Sequence, residues 1–419
     1  MNIRHFKPLY AVMLLLLCCV VGFALLTAAF CLPLSGLRDA QETAAVFRSE
    51  GNRPQTIPTY TGSTGDGFTD ALMLAEAIFD DPDVNPLEQA VHVYRRYATE
   101  SASADLAEQL EGNDLPFTIS YERYWHGFLV ILRPLLMVFS YADLRMLCCV
   151  MQMLLFALVI VMLARRGMTQ LALPFTAMLL TLSPMGTLLS LQYFSAYSLM
   201  MLGVLVVLRG DRRLSQGAGY LYFFLMQGIL TCYFDFLTYP LVTLCMPLLL
   251  SLYLHRDEQG LLGFAIAAGV AWCVGYLGFW ALKWIAGSLL AQENLIRSAL
   301  YRVLYQSTPA GDVAAGRLDA IRVNLAAFCR PGYAVLYLGS ALLCAWPMLR
   351  RRSGARRLLA GGRPLLLLLA LLPLAWWFLA ANHSLVHTFF TCKELSVTVF
   401  AVLLWLSSGD AEESASGAP

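Results

Sequence analysis

Two aspartates lie four residues apart in the segment 65–70, which reads Gly-Asp-Gly-Phe-Thr-Asp. Residues i and i+4 of a helix share one face, so Asp66 and Asp70 would present both carboxylates near a helix start. Such a pair can supply a general base with a helper, or oxygen ligands for a divalent cation. The alternative is structural, with one acid capping the helix and the other solvated. We take both as candidate catalytic residues.

The segment 121–134 combines aromatic and basic side chains. It reads Tyr-Glu-Arg-Tyr-Trp-His-Gly, followed by apolar residues and Arg-Pro, and contains Trp125, His126 and Arg133. Aromatic rings can stack on a sugar, while the planar guanidinium of an arginine can hold phosphate. The same residues could instead form a belt that anchors the chain at the membrane surface.

Asp235 lies between two apolar segments, in Tyr-Phe-Asp-Phe-Leu-Thr-Tyr-Pro. An unpaired acid in or near a membrane is costly, so it is by default a functional candidate. The alternative is a simple turn residue. Lys283, which lies between Trp280 and Trp284, is the expected counter-charge by depth, although it could also extend to the membrane surface.

His383, His387 and Lys393 cluster in the segment 382–394. Histidines at i and i+4 can share a metal ion, but no third ligand lies nearby in the sequence. We interpret the cluster as a contact for phosphate or hydroxyl groups, and we predict no metal site and no cofactor, with a divalent cation left open. Lys393 could alternatively pair with Glu394.

The composition identifies the class of protein. The chain has 419 residues, of which 58% are hydrophobic and 14% charged. Because soluble domains carry about 25% charged residues, this is an integral membrane protein. The net charge of +1 and the lack of a long basic stretch indicate no nucleic-acid partner. The 11 cysteines form no CxxC spacing, which argues against a disulfide framework or a zinc site.

Alternating arginines predict the membrane topology. A spanning helix needs about 20 apolar residues. The candidate spans are 9–32, 143–164, 169–187, 191–209, 217–235, 237–255, 260–283, 332–349, 364–381 and 394–408. Arginine clusters occupy every second connector, at 165–166, 209–213, 256 and 350–363, and the positive-inside rule places them in the cytoplasm. Both termini are then cytoplasmic, in a multi-pass protein of the plasma membrane surrounded by membrane lipids.

The fold class follows as all-α, a transmembrane bundle of about ten helices with a large extracytoplasmic first loop. Residues 1–32 are the first transmembrane helix, which we take as uncleaved because its apolar run exceeds the usual 7–15 residues of a signal peptide. Residues 33–142 form the first loop, 143–408 the helical bundle, and 409–419 a disordered cytoplasmic tail. Within the loop we expect helices from Asp66 to Phe79 and from Asn85 past Tyr97, and an interfacial helix over 124–141. An amphipathic stretch covers 294–305.

All the candidate residues fall on the outer side of this topology, and the layout resembles the GT-C superfamily of membrane glycosyltransferases. The resemblance rests on the first helix, the long outer loop with its acids Asp66 and Asp70, and the interfacial helix that carries Arg133. It implies a polyprenyl-phosphate sugar donor, whose phosphate Arg133, Lys283 or Lys393 would neutralise. An acid of the loop would accept the proton of the acceptor hydroxyl. The family's acid often lies nearer the first helix, which leaves Asp39 as an alternative.

Three other functions stay open from the sequence. A transporter or flippase of lipid-linked or small polar substrates would use Asp235 and Lys283 as midplane charges, but such folds usually contain internal repeats, which we do not find. A polymerase or ligase of lipid-linked polymers would typically place its large loop late in the chain. The third alternative is a non-catalytic subunit.

Overall fold

The computed structural model describes residues 5–308, 316–350 and 358–410. The arginines of the predicted cytoplasmic run at 351–357, and residues 411–419 of the predicted tail, lie outside the described residues. Within the described part the chain is almost entirely helical. Its only strands are β1 (Arg95–Tyr97) and β2 (Phe117–Ile119), which pair antiparallel. The predicted all-α class is confirmed.

The helices of the described residues are, in chain order, α1 (Pro8–Phe30), α2 (Ala40–Glu50), α3 (Gly67–Ala77), α4 (Pro86–His92), α5 (Ala102–Leu110), α6 (Leu129–Leu136), α7 (Tyr141–Arg165), α8 (Ala172–Thr181), α9 (Pro184–Thr187), α10 (Leu191–Leu214), α11 (Gly219–Phe234), α12 (Leu241–Leu254), α13 (Leu261–Ala291), α14 (Leu295–Ser307), α15 (Arg317–Ala326), α16 (Pro331–Arg350), α17 (Arg363–Leu369), α18 (Leu372–Leu379), α19 (Ala381–Val386), α20 (Thr388–Thr391) and α21 (Leu395–Ser407).

Six helices of the described chain are long and apolar enough to cross a membrane. They are Pro8–Phe30, Tyr141–Arg165, Leu191–Leu214, Leu261–Ala291, Pro331–Leu349 and Thr388–Ser407. Four shorter apolar helices, Thr169–Thr181, Gly219–Phe234, Leu241–Leu254 and Arg363–Leu379, overlap the remaining predicted spans. At 1.5 Å per residue, a helix of about 15 residues rises only about 23 Å, less than the hydrocarbon core. The chain is therefore a helical, membrane-embedded protein, and the count of ten spans stays a prediction.

The connector between α1 and α7 differs in part from its prediction. Helix α3 begins after Asp66 and ends at Ala77, close to the expected 66–79. The helix expected to run from Asn85 past Tyr97 instead ends at His92. Val93 takes a left-handed φ of 49°, and the Gln89 amide bonds to the backbone of Tyr94 in place of a further turn. The interfacial helix is also shorter than expected, because it begins only at Leu129.

The two helices α11 and α13 approach each other through glycines. A Cβ at Gly228 would lie 2.2 Å from the carbonyl oxygen of Trp272, and one at Gly275 would lie 2.1 Å from that of Leu225. Neither backbone leaves room for a side chain at these positions. Close backbone contact through small residues is the usual way in which helices associate inside a membrane.

Candidate functional site

One cavity of about 330 Å³ brings together side chains from distant parts of the chain. We call it the central cavity. It lies between the start of α3, the turn after α11, helix α14 and the segment 383–390. Its lining residues are Asn52, Arg53, Asp66, Phe68, Thr69, Leu72, Glu100, Tyr121, Tyr124, Gln192, Phe236, Arg302, Gln306, His383, His387, Phe389 and Phe390. Three of the candidate residues, Asp66, His383 and His387, are among them.

Asp66 caps helix α3 and lines the central cavity. Its two carboxylate oxygens accept hydrogen bonds from the amide (3.0 Å) and the hydroxyl (2.8 Å) of Thr69. The side chain is almost completely buried, and this burial raises the pKa of the carboxyl to about 7. Asp66 also lines a second cavity of about 260 Å³ beside Gly186 and Ser190. It is therefore a proton-accepting group placed between two cavities.

Asp70 has different surroundings, although it follows Asp66 by one helical turn. Its carboxylate accepts bonds from the hydroxyls of Tyr141 and Ser190 (both 3.0 Å) and from the amides of Leu191 and Gln192 (both 3.1 Å). Because these amides belong to the first turn of α10, Asp70 caps that helix from another part of the chain. Asp70 lines the second cavity but not the central one, so the two aspartates do not form a joint site there.

His383 offers the central cavity a hydrogen-bond acceptor. Its Nε2 lies 2.9 Å from the carbonyl oxygen of Leu237, and because a carbonyl only accepts, this nitrogen carries the proton. Nδ1 therefore carries a lone pair that can accept a hydrogen bond. This atom is buried and has no partner among the described residues. Burial lowers the pKa of His383 to about 4, so the ring is neutral near pH 7.

Gln192 provides a second acceptor of the same kind. Its amide nitrogen donates to the hydroxyl of Thr238 at 3.2 Å, which orients the amide. The amide oxygen is buried and, within the part of the chain that the structure describes, has no partner. An unsatisfied buried acceptor costs about 1–3 kcal/mol, so each of these two atoms requires a hydrogen-bond donor, from water or from a ligand.

His387 lies beside His383, with the two ring centres 5.0 Å apart, and stacks on Phe390 at 5.1 Å. Burial and the neighbouring His383 lower its pKa. Among the described residues, no group of three or more His, Cys, Asp or Glu side chains could hold a metal ion. Both histidines lie in the wall of the central cavity.

Arg53 and Arg302 also line the central cavity, although neither was predicted as a site residue. The Arg53 guanidinium lies 4.9 Å from the centre of the Phe389 ring. Arg302 lies 4.9 Å from the ring of Tyr305, and its Nε is buried without a partner in the described chain. The amphipathic character of 294–305 pointed to the helix that carries Arg302 but not to the face on which this residue lies.

Trp125 and His126 lie in the protein core rather than in the cavity wall. The Trp125 indole donates to the carbonyl of Phe279 and stacks on that ring at 4.4 Å. His126 Nδ1 lies 2.9 Å from a carboxylate oxygen of Glu76, and its Nε2 lies 2.7 Å from the carbonyl of Tyr121. Both side chains fix the turn before α6. The expected stacking surface is instead offered by the cavity residues Tyr121, Tyr124 and Phe236.

The three cations expected to meet phosphate all bind backbone carbonyl groups. Arg133 donates to Ala29, Leu32 and Ala77. Lys283 donates to Ala90 and Val91 at 3.0 and 2.9 Å, and Lys393 to Gly62 and Leu182 at 2.5 and 3.0 Å. None of the three lines the central cavity. Carbonyl oxygens near the ends of helices attract cations, so these side chains join helices to neighbouring segments.

Asp235 also lies beside the cavity rather than in it. One carboxylate oxygen accepts from the amide of Thr238 at 2.9 Å, and the other has no partner among the described residues. Lys283 is not its counter-charge, because that ammonium group binds Ala90 and Val91. Asp235 fixes the turn in which Leu237, with a left-handed φ of 63°, presents its carbonyl to His383.

Lys393 and Glu394 form no ion pair. Glu394 accepts a hydrogen bond from the amide of Leu241, whereas Lys393 donates to the carbonyls of Gly62 and Leu182.

The central cavity combines hydrogen-bond acceptors, two arginines and aromatic walls. Asp66, His383 and Gln192 can accept from hydroxyl groups, and Arg53 and Arg302 can attract an anion. This set of side chains complements a molecule that carries several hydroxyl groups and a negative charge. The chain matches no protein-family model, no curated protein and no solved structure.

Proposed function

We propose that the protein is a membrane glycosyltransferase, similar in architecture to the GT-C superfamily, that moves a sugar from a polyprenyl-phosphate donor to an extracytoplasmic acceptor. One observation carries the proposal. A buried aspartate shares a cavity with two unpartnered hydrogen-bond acceptors, His383 Nδ1 and Gln192 Oε1, and with two arginines. A sugar attached to phosphate supplies both the hydroxyl donors and the negative charge that these groups require.

In the proposed reaction the acceptor hydroxyl oxygen attacks the anomeric carbon of the sugar. The bond between that carbon and the phosphate oxygen breaks, and polyprenyl phosphate leaves with the bonding electrons. Asp66 takes the proton of the hydroxyl as general base, a role for which a pKa near 7 is suited. Because Asp66 lines both cavities, the donor can occupy the central cavity while the acceptor reaches Asp66 from the second one.

The placement of the cations changes which residues stabilise the leaving group. Arg133, Lys283 and Lys393 are engaged by backbone carbonyls, so we assign the phosphate to Arg302 at the wall of the central cavity instead. A phosphate monoester is a fair leaving group once its charge is neutralised, and the proposal therefore requires no metal ion. The plasma membrane as location, with both termini in the cytoplasm, belongs to the same proposal.

A transport function is the second candidate. The buried carboxylates of Asp235 and Glu394 each have an oxygen with no partner in the described part of the chain, as expected of ion-coupling acids. The distinguishing observation is chemical: a transferase forms a glycosidic bond, whereas a transporter leaves its substrate unchanged.

The proposal is tested with the purified full chain in detergent and a panel of radiolabelled polyprenyl-phosphate hexoses and pentoses. Wild-type protein should transfer label to endogenous acceptors extracted from the membrane, and Asp66→Asn should lower the rate by about 10²–10⁴-fold, the usual contribution of a general base. Asp83→Asn is the matched control, because Asp83 is exposed and lies outside the cavity. Undiminished transfer by Asp66→Asn would overturn the assignment.

A further inference from the structure

A second basic feature lies next to the central cavity. Arg123, Arg297 and Arg302 line an open groove of about 450 Å³ together with Asn294, Ser298 and Tyr301. We call it the arginine groove. Arg302 belongs both to this groove and to the central cavity, so the two spaces meet at its side chain.

The position of Arg123 in the groove is fixed by its neighbours. Its backbone carbonyl accepts hydrogen bonds from two indoles of α13, those of Trp280 at 2.6 Å and Trp284 at 3.0 Å. Its guanidinium lies 4.9 Å from the ring centre of Tyr121. The next residue on the N-terminal side, Glu122, accepts from the hydroxyl of Ser298 at 3.2 Å and so joins the loop to α14. The groove is therefore held by two helices at once.

The arginines of the groove have hydrogen-bonding capacity that the protein leaves unused. The Nε atoms of Arg123 and Arg302 are buried and lack a partner among the described residues. Over those same residues, no carboxylate pairs with any of the three guanidinium groups. The acid beside them, Glu122, is engaged by Ser120 at 2.7 Å and by Ser298. Three guanidinium groups in one groove, without a carboxylate partner in the described chain, attract anions, and a doubly charged anion with several oxygens can accept from more than one of them.

The groove opens beside an apolar surface. Ile296, Leu300 and Leu304 follow one another at helical spacing along α14, and the last two are more than half exposed. An amphipathic helix with exposed leucines, next to arginines and to tryptophans of a long apolar helix, is typical of a position at the membrane interface. A ligand of the groove can therefore carry an alkyl chain that stays in the membrane.

We infer that the arginine groove binds the phosphate group of a lipid phosphate whose attached head group enters the central cavity past Arg302. The inference rests on the proposed function, and it adds where the donor is recognised and by which residues. Arg123 and Arg297 hold the phosphate outside the cavity, and Arg302 contacts it at the cavity entrance. Recognition of the phosphate is thereby separate from recognition of the sugar by His383 and Gln192.

The test measures binding of dodecyl phosphate, which has the lipid and the phosphate but no sugar, to the purified full chain in neutral detergent. The variant Arg123→Gln/Arg297→Gln should weaken binding by about tenfold or more, since it removes two charged hydrogen-bond donors. Lysine at both positions should recover part of the affinity, because it keeps the charge but not the planar fork. Arg322→Gln, at an exposed arginine of α15, should bind as the wild type does.

The same measurement separates the inference from its alternatives. Equal affinity of the double glutamine variant and the wild type overturns it, provided that the variant unfolds at the wild-type temperature. If phosphatidylglycerol competes with dodecyl phosphate equally well, the inference is also overturned, because the groove would then be a general site for anionic lipids. If inorganic phosphate competes equally well, the alkyl chain has no role and a lipid phosphate is not the ligand. Asp66→Asn should keep wild-type affinity. If no sugar transfer is found but arginine-dependent binding remains, the proposed function fails while the phosphate site stands.

Discussion

His383 donates its Nε2 proton to the carbonyl oxygen of Leu237 at 2.9 Å, and this bond determines what the other ring nitrogen can do. Nδ1 must be an unprotonated acceptor, and it lies buried beside the central cavity without a protein partner in the described chain. The carbonyl that fixes the tautomer belongs to a residue with a left-handed backbone, in a turn held by Asp235. A strained turn that orients a histidine is typical of functional sites.

The substitution His383→Gln tests the acceptor. The glutamine amide nitrogen can replace Nε2 at the Leu237 carbonyl, while the lone pair at the Nδ1 position is lost. We expect transfer or donor affinity to fall by about tenfold, the equivalent of one hydrogen bond, with little change in thermal stability. His5→Gln, at an exposed position before α1, is the control. Unchanged kinetics in His383→Gln would remove this nitrogen from the site.

The rate should depend on pH through Asp66. Burial raises the pKa of its carboxyl to about 7, so the carboxylate that accepts a proton predominates only above that pH. We expect the transfer rate to rise about tenfold per pH unit below pH 7 and to level off above it. His383 should not contribute between pH 5 and 8, because its lowered pKa of about 4 keeps it neutral. A rate profile that is flat from pH 5 to 8 would contradict the role of Asp66.

Asp70 should matter for stability. Its carboxylate accepts four bonds from Tyr141 and the start of α10, and Asp70→Ala would leave these donors buried and unpaired. We expect a loss of at least about 3 kcal/mol in unfolding free energy. Tyr141→Phe removes one of the four bonds and should cost only about 1 kcal/mol. Denaturant titration of the detergent-solubilised protein provides both values, and equal losses in the two variants would be inconsistent with the network.

The glycine contact of α11 and α13 provides a prediction about packing. Gly228→Ala places a methyl group 2.2 Å from the Trp272 carbonyl, which forces the helices apart, and we expect about 1–3 kcal/mol of destabilisation. Gly269→Ala on α13 is the matched control, because no atom lies within 4 Å of its added Cβ. That variant should be neutral or slightly stabilised, since alanine favours a helix. The comparison is read from the two unfolding temperatures, and a stable Gly228→Ala variant would argue against close contact.

Cysteine labelling tests the orientation in the membrane. Thr118 in β2 and Gln259 before α13 are exposed, and the arginine pattern places them on opposite sides. In a background without reactive native cysteines, Thr118→Cys should react with a membrane-impermeant maleimide on intact cells. Gln259→Cys should react only after permeabilisation. The reverse pattern would invert the proposed topology and place the central cavity in the cytoplasm.

Hydropathy, capping residues and charge in the sequence alone determined the helical membrane class, the ten apolar segments and the local helix of Asp66. These are properties of single segments: an apolar run must form a helix in hydrocarbon, and an aspartate before Gly-Phe-Thr caps the helix that follows. The arginine-rich connectors also predict one side of the membrane for Asp66, His383 and His387, and the structure brings these three side chains to one cavity.

Only the tertiary structure decided which of the charged residues are available to a ligand. Arg133, Lys283 and Lys393 look like phosphate binders in sequence, but they bind carbonyl groups that lie 56, 193 and 331 residues away along the chain. Asp70 is engaged in the same way by α10. Arg302 belongs to the amphipathic stretch predicted at 294–305 but not to the predicted site, and its Nε has no partner in the described chain. The reason is that burial and partnership are set by distant segments. A buried ion must be paired or hydrogen-bonded, and the chain pattern shows the ion but not the partner.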